Sequence, residues 1–161
     1  MSSKAESYTS FFANLESKTM TAAVPTNVND SALGYAGDVT PDQAFAWWQA
    51  GVAVLVDVRT DAEREWVGVV PGAMAVAWKQ WPGMAINAGF DEGLKAVAPV
   101  GKKVLLLCRS GVRSIAAAKR ATELGMEAYN ILEGFEGDPN GQAHRGGVGG
   151  WRLRGLPWRQ S

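Results

Sequence analysis

Apolar residues along the chain fall into two kinds of pattern. Ala53-Val54-Leu55-Val56 and the run from Lys103 to Leu107 are continuous, as in strands covered on both faces, so both belong at the centre of a parallel sheet. Elsewhere the spacing is helical. Thr40-Pro41-Asp42-Gln43 writes a helix start, with Thr40 as cap, Pro41 at the first helical position and Gln43 completing a capping box. Ala44, Phe45, Trp47 and Trp48 supply its buried face and Gly51 its stop. Thr60 and Glu63 make a second capping box for a short helix to about Trp66; Gly68 to Ala73 reads as a turn and Asp91 to Val97 as a further helix. A helix from Ser114 to Leu124 places Ile115, Ala116, Ala118 and Leu124 on or near one stripe, and Gly125 stops it. Gly34 to Val39 suits a short edge strand, and Ala128 to Leu132 a last strand. Alternation of strands and helices predicts an α/β domain with helices on both sides of a parallel sheet and ligands at the carboxyl ends of the strands. Asp57 and Cys108 then share one rim.

The two ends of the chain read differently. Residues 1–34, rich in Ser, Thr, Asn and Ala with weak periodicity, are expected to form a flexible arm, and 35–161 the folded domain. Phe11, Phe12 and Leu15 have helical spacing within the arm; we read them as a frayed turn, with docking on the domain or on a partner as the alternative. Glycine is dense from Gly134 to Gly155, and every ionisable group after Asp138 is basic or histidine: His144, Arg145, Arg152, Arg154 and Arg159. This segment is expected to wrap the sheet as a loop and a short terminal helix anchored by Trp151, Leu153, Leu156 and Trp158, its basic face solvated.

Charge and composition narrow the function. Lys plus Arg (16) balance Asp plus Glu (16), so no global basic excess invites nucleic acid or a membrane surface, and neither is an expected partner. The tryptophans do not alternate with a basic stripe, which leaves packing as their expected role. Trp78 and Trp81, flanking Lys79 and Gln80, are the pair that would wall an active-site mouth. No run of about 18 apolar residues is present, and the short apolar cluster behind Lys4 is broken by Asn14 and Glu16, so the expected location is the cytoplasm. One cysteine, Cys108, and one histidine, His144, can supply neither an internal disulfide nor a thiolate zinc site.

The candidate chemistry lies in Val104-Leu105-Leu106-Leu107-Cys108-Arg109-Ser110-Gly111-Val112-Arg113-Ser114, a buried strand, a tight loop and a helix start. Successive amides of such a loop form a nest, and the following helix adds the positive end of its dipole, so an anion is favoured against the sulfur and thiolate over thiol. A free cysteine titrates at about 8.5, and helix N-termini with cationic neighbours bring it down to about 3.5–7.5. Arg109 and Arg113 supply that charge. A lone cysteine is ordinarily a small buried hydrophobe. Two guanidinium groups and a glycine three residues on do not suit a core position, so Cys108 is read as reactive. His144, in a glycine-rich segment with no partner pattern, is read as a solvent-facing or loop-fixing residue and not a catalytic base. Asp57 is expected to bind loop amides and Arg59 to pair with Glu63 or Glu65 across a helical turn.

The segment CRSGVRS after VLLL resembles the active-site loop of the rhodanese family, sulfurtransferases that carry sulfane sulfur as a cysteine persulfide. Asp57-Val58-Arg59, then Glu65-Trp66 and Gly68-Val69-Val70-Pro71-Gly72-Ala73, are similar to the family's Asp-x-Arg and Gly-His-Ile-Pro-Gly-Ala segments, with Val69 in place of the histidine. Glu133-Gly134-Phe135 and the stretch from Gly150-Trp151 to Gly155-Leu156-Pro157-Trp158 resemble single-domain members, and the likeness runs from about Tyr35 to Trp158. It implies a central, mostly parallel five-stranded sheet and Cys108 as nucleophile. It also implies that Arg109, Ser110, Gly111, Val112 and Arg113 hold the substrate, that Asp57, Arg59 and Ser114 support the loop, and that no metal or organic cofactor is needed. The implied partners are a small sulfur donor such as thiosulfate and a sulfur-acceptor thiol or protein. Two alternatives stand beside it: a relay module loaded by a protein partner, and an arsenate reductase or phosphatase. The latter families place five residues between cysteine and arginine; here there are four, 109 to 112, and the sixth position after Cys108 is Ser114.

Overall fold

Strand β6 (Lys103–Leu107) is the middle of the sheet, and both its neighbours run parallel to it: β2 (Ala53–Asp57) on one side and β7 (Ala128–Ile131) on the other. The sheet is completed at its edges by β1 (Gly37–Val39) beside β7 and β3 (Met74–Ala75) beside β2, giving the parallel order β1-β7-β6-β2-β3. The computed structural model describes residues 32–161. The arm read over 1–34, with Phe11, Phe12 and Leu15, lies outside the described residues except for 32–34, which form a turn. Four helices follow their strands: α1 (Pro41–Gln49), α2 (Asp61–Val67), α3 (Phe90–Val97) and α4 (Arg113–Glu123). A short antiparallel ribbon, β4 (Lys79–Gln80) with β5 (Ala85–Ile86), stands apart from the sheet.

The continuous apolar runs are explained by a core on each face. With the strand period of two, Val56, Val58, Val104, Leu106 and Cys108 face α3 and α4, meeting Phe90, Leu94, Ala117, Ala118 and Ala121. Leu55, Leu105, Leu107 and Ile131 face the other way, onto Ala44 of α1 and onto Phe135 and Trp151 of the terminal segment. Cys108 thus inherits the α3/α4 face one residue beyond the strand. The buried stripe of α4 runs through Ser114, Ala117, Ala118 and Ala121 and leaves Ala116 exposed, one step round from the expected stripe.

Two other expectations need correction. Thr40 caps α1 by accepting from the Gln43 amide (3.2 Å), but among the described residues the reciprocal bond of a full capping box is found only at Thr60 and Glu63. The short terminal helix is replaced by turns over 151–155. Backbone crowding accounts for the irregular path: a Cβ on Gly137 would lie 2.2 Å from the Gly149 carbonyl oxygen, and one on Gly150 2.6 Å from the Gly137 nitrogen. Trp151 alone of the four expected anchors is fully buried, its indole N–H donating to the Pro157 carbonyl at 2.8 Å, while Leu153 is half exposed.

Glu63 joins two helices. One oxygen accepts from the Thr60 amide (3.0 Å) and hydroxyl (2.9 Å), capping α2, and from Arg113 Nη1 (2.8 Å); the other accepts from Arg113 Nη2 (2.5 Å) at the first residue of α4. Burial pushes this carboxyl up, but the hydrogen bonds and charge of Arg113, together with Thr60, outweigh it and hold the group at about 2. The folded value lies below the unfolded one, so the stabilisation is complete above the ordinary carboxylate range and is lost as pH falls toward 2. Glu63→Gln is expected to destabilise the protein by about 2–3 kcal/mol at neutral pH. It should also flatten the fall in stability between pH 4.5 and 2, as read by urea unfolding across that range.

Candidate active site

Cys108 ends β6, and the chain then turns through 109–112 into α4. The turn needs glycine at Gly111, whose φ is +94° and whose Cβ, if present, would stand 3.4 Å from the Glu133 nitrogen and the Ile131 oxygen. That conformation aims the Gly111 amide at Cys108 Sγ at 3.1 Å. The Ser114 hydroxyl, from the first turn of α4, lies 3.1 Å from the same sulfur. Among the described residues no backbone carbonyl accepts from the amides of Arg109, Ser110, Val112 or Arg113. The loop therefore brings one amide to the sulfur and leaves four without a backbone partner.

The back of the loop is held by main chain. Phe135 N donates to the Cys108 carbonyl (2.8 Å) and Glu136 N to the Arg109 carbonyl (2.9 Å). Gly134, at φ +63°, permits this approach: a Cβ there would lie 2.6 Å from Cys108 O and Arg109 O. Gly134 is thus a site-forming residue, and its signal in the sequence was the Glu133-Gly134-Phe135 segment. Asn130, behind Ser114, has one sign in the sequence: an amide side chain in the apolar strand Ala128–Ile131.

The ionic partners differ from the expected ones. Arg59 does not pair with Glu63 or Glu65. It folds back on Asp57, donating from Nε (3.0 Å) and Nη2 (2.7 Å), and Nη2 also reaches the Gly68 carbonyl (2.8 Å). Both side chains are buried, and the guanidinium lies over the Phe135 ring at 4.1 Å. Asp57 also accepts from the Arg59 amide (3.0 Å). Glu63 is taken instead by Arg113, and this bond chiefly, against burial, keeps Arg113 firmly protonated. The positive charge expected from Arg113 is therefore already matched by a carboxylate. Arg109 is exposed and makes no ion pair among the described residues.

A cleft of about 930 Å³ opens over the loop, with the nearly buried Cys108 in its lining beside Arg109, Ser110, Val112 and Arg113. Across from the loop stand Trp66, 78% exposed, and Trp81, 67% exposed. The expected tryptophan pair is divided: Trp81 walls the cleft, whereas Trp78 packs edge-on against Phe90 at 4.8 Å in the core. His144 is exposed and lies outside the cleft lining, as do Asp57 and Arg59. Among the described residues no cluster of three or more His, Cys, Asp or Glu has the geometry to hold a metal, and no helix is long and apolar enough to cross a membrane.

Comparison with known proteins places this arrangement. The crystal structure of Rv0390 from M. tuberculosis is 45% identical, covers 79% of this chain and 99% of its own, and superposes with a TM-score of 0.72. An uncharacterised protein of Rickettsia conorii, RC0915, is 33% identical over 112 residues, 66% of this chain and 83% of its own. A Rhodopseudomonas palustris protein of unknown function, described as a possible tyrosine phosphatase, shares the fold at a TM-score of 0.52 and 24% identity, covering 85% of this chain and all of its own. The family description "Rhodanese-like domain" matches residues 40–138, from the cap of α1 through the cysteine loop and the Gly134 clamp, and the chain belongs to that family.

Proposed function

We propose that this protein moves sulfane sulfur from thiosulfate or a persulfide donor to cyanide or a thiol through a persulfide on Cys108. The observation that carries the reading is a single cysteine with an amide 3.1 Å from its sulfur, lining an open cleft that contains no histidine. In the first step the Cys108 thiolate attacks the outer sulfur of thiosulfate. A new S–S bond forms, the S–S bond of thiosulfate breaks, and its electron pair leaves with sulfite. In the second step the acceptor attacks the outer sulfur of the persulfide and the pair of the enzyme's S–S bond returns to Cys108 as thiolate. Neither step requires a base to protonate a leaving group, which suits a site without an imidazole. The outer sulfur carries the negative charge, and the amides of 109, 110, 112 and 113, free of backbone acceptors, are the donors assigned to it. Arg109 meets the incoming anion; Arg113, tied to Glu63, and Asp57 with Arg59 keep the loop in shape. A phosphatase cradle is disfavoured because the sixth position after the cysteine is Ser114, which is buried against Sγ.

A second reading, a relay loaded by a protein partner, is favoured by the apolar rim. Trp66, Trp81 and Val112 expose 78%, 67% and 71% of their surface around a cleft far larger than thiosulfate fills. Three measurements test these readings, and the third separates them. Intact-mass analysis after thiosulfate treatment should show one added sulfur atom on the wild type and none on Cys108→Ser; uptake by the serine variant would sink both readings. Arg109→Ala should raise KM for thiosulfate about 3–10-fold and weaken its salt dependence, with kcat little changed. A persulfidated protein donor that loads Cys108 much faster than thiosulfate marks the relay, and equal or slower loading marks the free-donor enzyme.

A further inference from the structure

Behind Cys108 runs a buried chain of polar side chains that the sulfur-transfer steps do not use. Ser114 Oγ is 3.1 Å from Sγ and donates to Asn130 Oδ1 at 2.6 Å; Asn130 Nδ2 donates to Asp38 Oδ1 at 2.9 Å, and the Tyr35 hydroxyl donates to the same oxygen at 2.9 Å. Ser114 is fully buried, Asn130 is 1% exposed and Tyr35 5%, while Asp38 reaches the surface. The parallel register seats Asp38 directly beside Asn130, so adjacent strands present the two side chains together.

Donor and acceptor counting fixes the direction of every bond. A carboxylate only accepts, so the end of Asn130 facing Asp38 is its NH2 and the end facing Ser114 is its carbonyl oxygen. Burial and the Asp38 hydrogen bond and charge push the Tyr35 hydroxyl up to about 12, so it remains a donor and holds Asp38 in place. Ser114 has one hydroxyl hydrogen, and it is directed to Asn130. Toward Cys108 it then offers only lone pairs, which suit an S–H donor and not a thiolate or a persulfide sulfur. When the sulfur loses its proton, the hydroxyl must turn to it, and Asn130 Oδ1 is left buried without a donor.

We infer that Asp38 and Asn130 are positioning residues that direct the Ser114 hydroxyl hydrogen to Asn130 and away from Cys108, so that loss of the sulfur's proton is coupled to release of the Ser114–Asn130 bond. The other charged groups disposed around the sulfur are Arg109 and Arg113 of its own loop and helix, Glu63 of α2 bound to Arg113, Asp57 with Arg59 after β2, and Asp138 and Arg145 across the cleft. None of them touches Asn130, so an uncharged substitution there leaves that field intact. The inference rests on the proposed role of Cys108 only in taking its thiolate as the working form.

The test reads the thiol itself. With one cysteine in the chain, the rate of iodoacetamide alkylation against pH, checked by intact mass, gives the midpoint of Cys108 directly. Asn130→Leu is expected to lower that midpoint by about one pH unit by freeing the hydroxyl, and the lowering should vanish when Ser114→Ala is added. Asp38→Ala, at an exposed position, removes the acceptor that orients the Asn130 amide and should lower the midpoint in the same Ser114-dependent way at high salt; it decides the matter if Asn130→Leu does not fold. A midpoint unchanged or raised, or a lowering that persists without the Ser114 hydroxyl, overturns the inference. Sulfur uptake from thiosulfate is scored separately, so loss of the sulfurtransferase reading and loss of this one give different results.

Discussion

The bidentate pair between Glu63 and Arg113 is the constraint on which the loop depends. Its carboxylate already caps α2 through Thr60, so the arginine it binds is fixed to a helix and not to a mobile side chain. Arg113 is also the first residue of α4, and the turn from Cys108 to α4 contains only four intervening residues. Anchoring one end of so short a turn determines where Gly111 presents its amide. The pair is strong because both partners are largely buried and the geometry is fork to fork, conditions under which the Coulomb gain survives desolvation.

The arrangement has an electrostatic consequence. Counting charges along the chain suggests two arginines acting on the sulfur, Arg109 and Arg113, but Arg113 is neutralised by Glu63, as a further arginine, Arg59, is by Asp57. What remains to act on an anion is Arg109 and a set of amide dipoles. Fixed dipoles do not have to reorganise when charge arrives, whereas an exposed arginine is screened by salt and mobile. In the proposed reaction, selectivity for a charged outer sulfur then rests chiefly on main-chain geometry, which depends on Gly111 at a φ of +94° and on Gly134, where a Cβ would lie 2.6 Å from the Cys108 and Arg109 carbonyl oxygens.

Much of this was legible from local pattern. The continuous runs in β2 and β6 announced a two-faced sheet, and Thr60 with Glu63 announced the start of α2 to the residue, because both features are encoded by neighbours in sequence. What escaped depended on contacts between distant segments. Arg59 has Glu63 at helical spacing, yet Asp57 is nearer once the strand end turns, and Glu63 is claimed by an arginine fifty positions on. The terminal helix failed for a similar reason: residues 137 and 149–150 pack backbone against backbone, and no propensity argument foresees that approach. Asn130 was visible as an oddity among apolar neighbours, but its meaning required the register of β1 against β7.

In the proposed reaction the lone sulfur also constrains the path. A second cysteine in the chain would let a persulfide discharge internally as a disulfide; with Cys108 alone, the outer sulfur can leave only to a group that comes in from solution. Such an acceptor would have to reach a residue that is only 1% exposed, and the cleft that Cys108 lines is the approach open to it. Burial of Sγ and openness of the cleft are therefore complementary. In the proposed transfer the first would restrict side reactions at the thiol, and the second would leave the outer sulfur open to an acceptor.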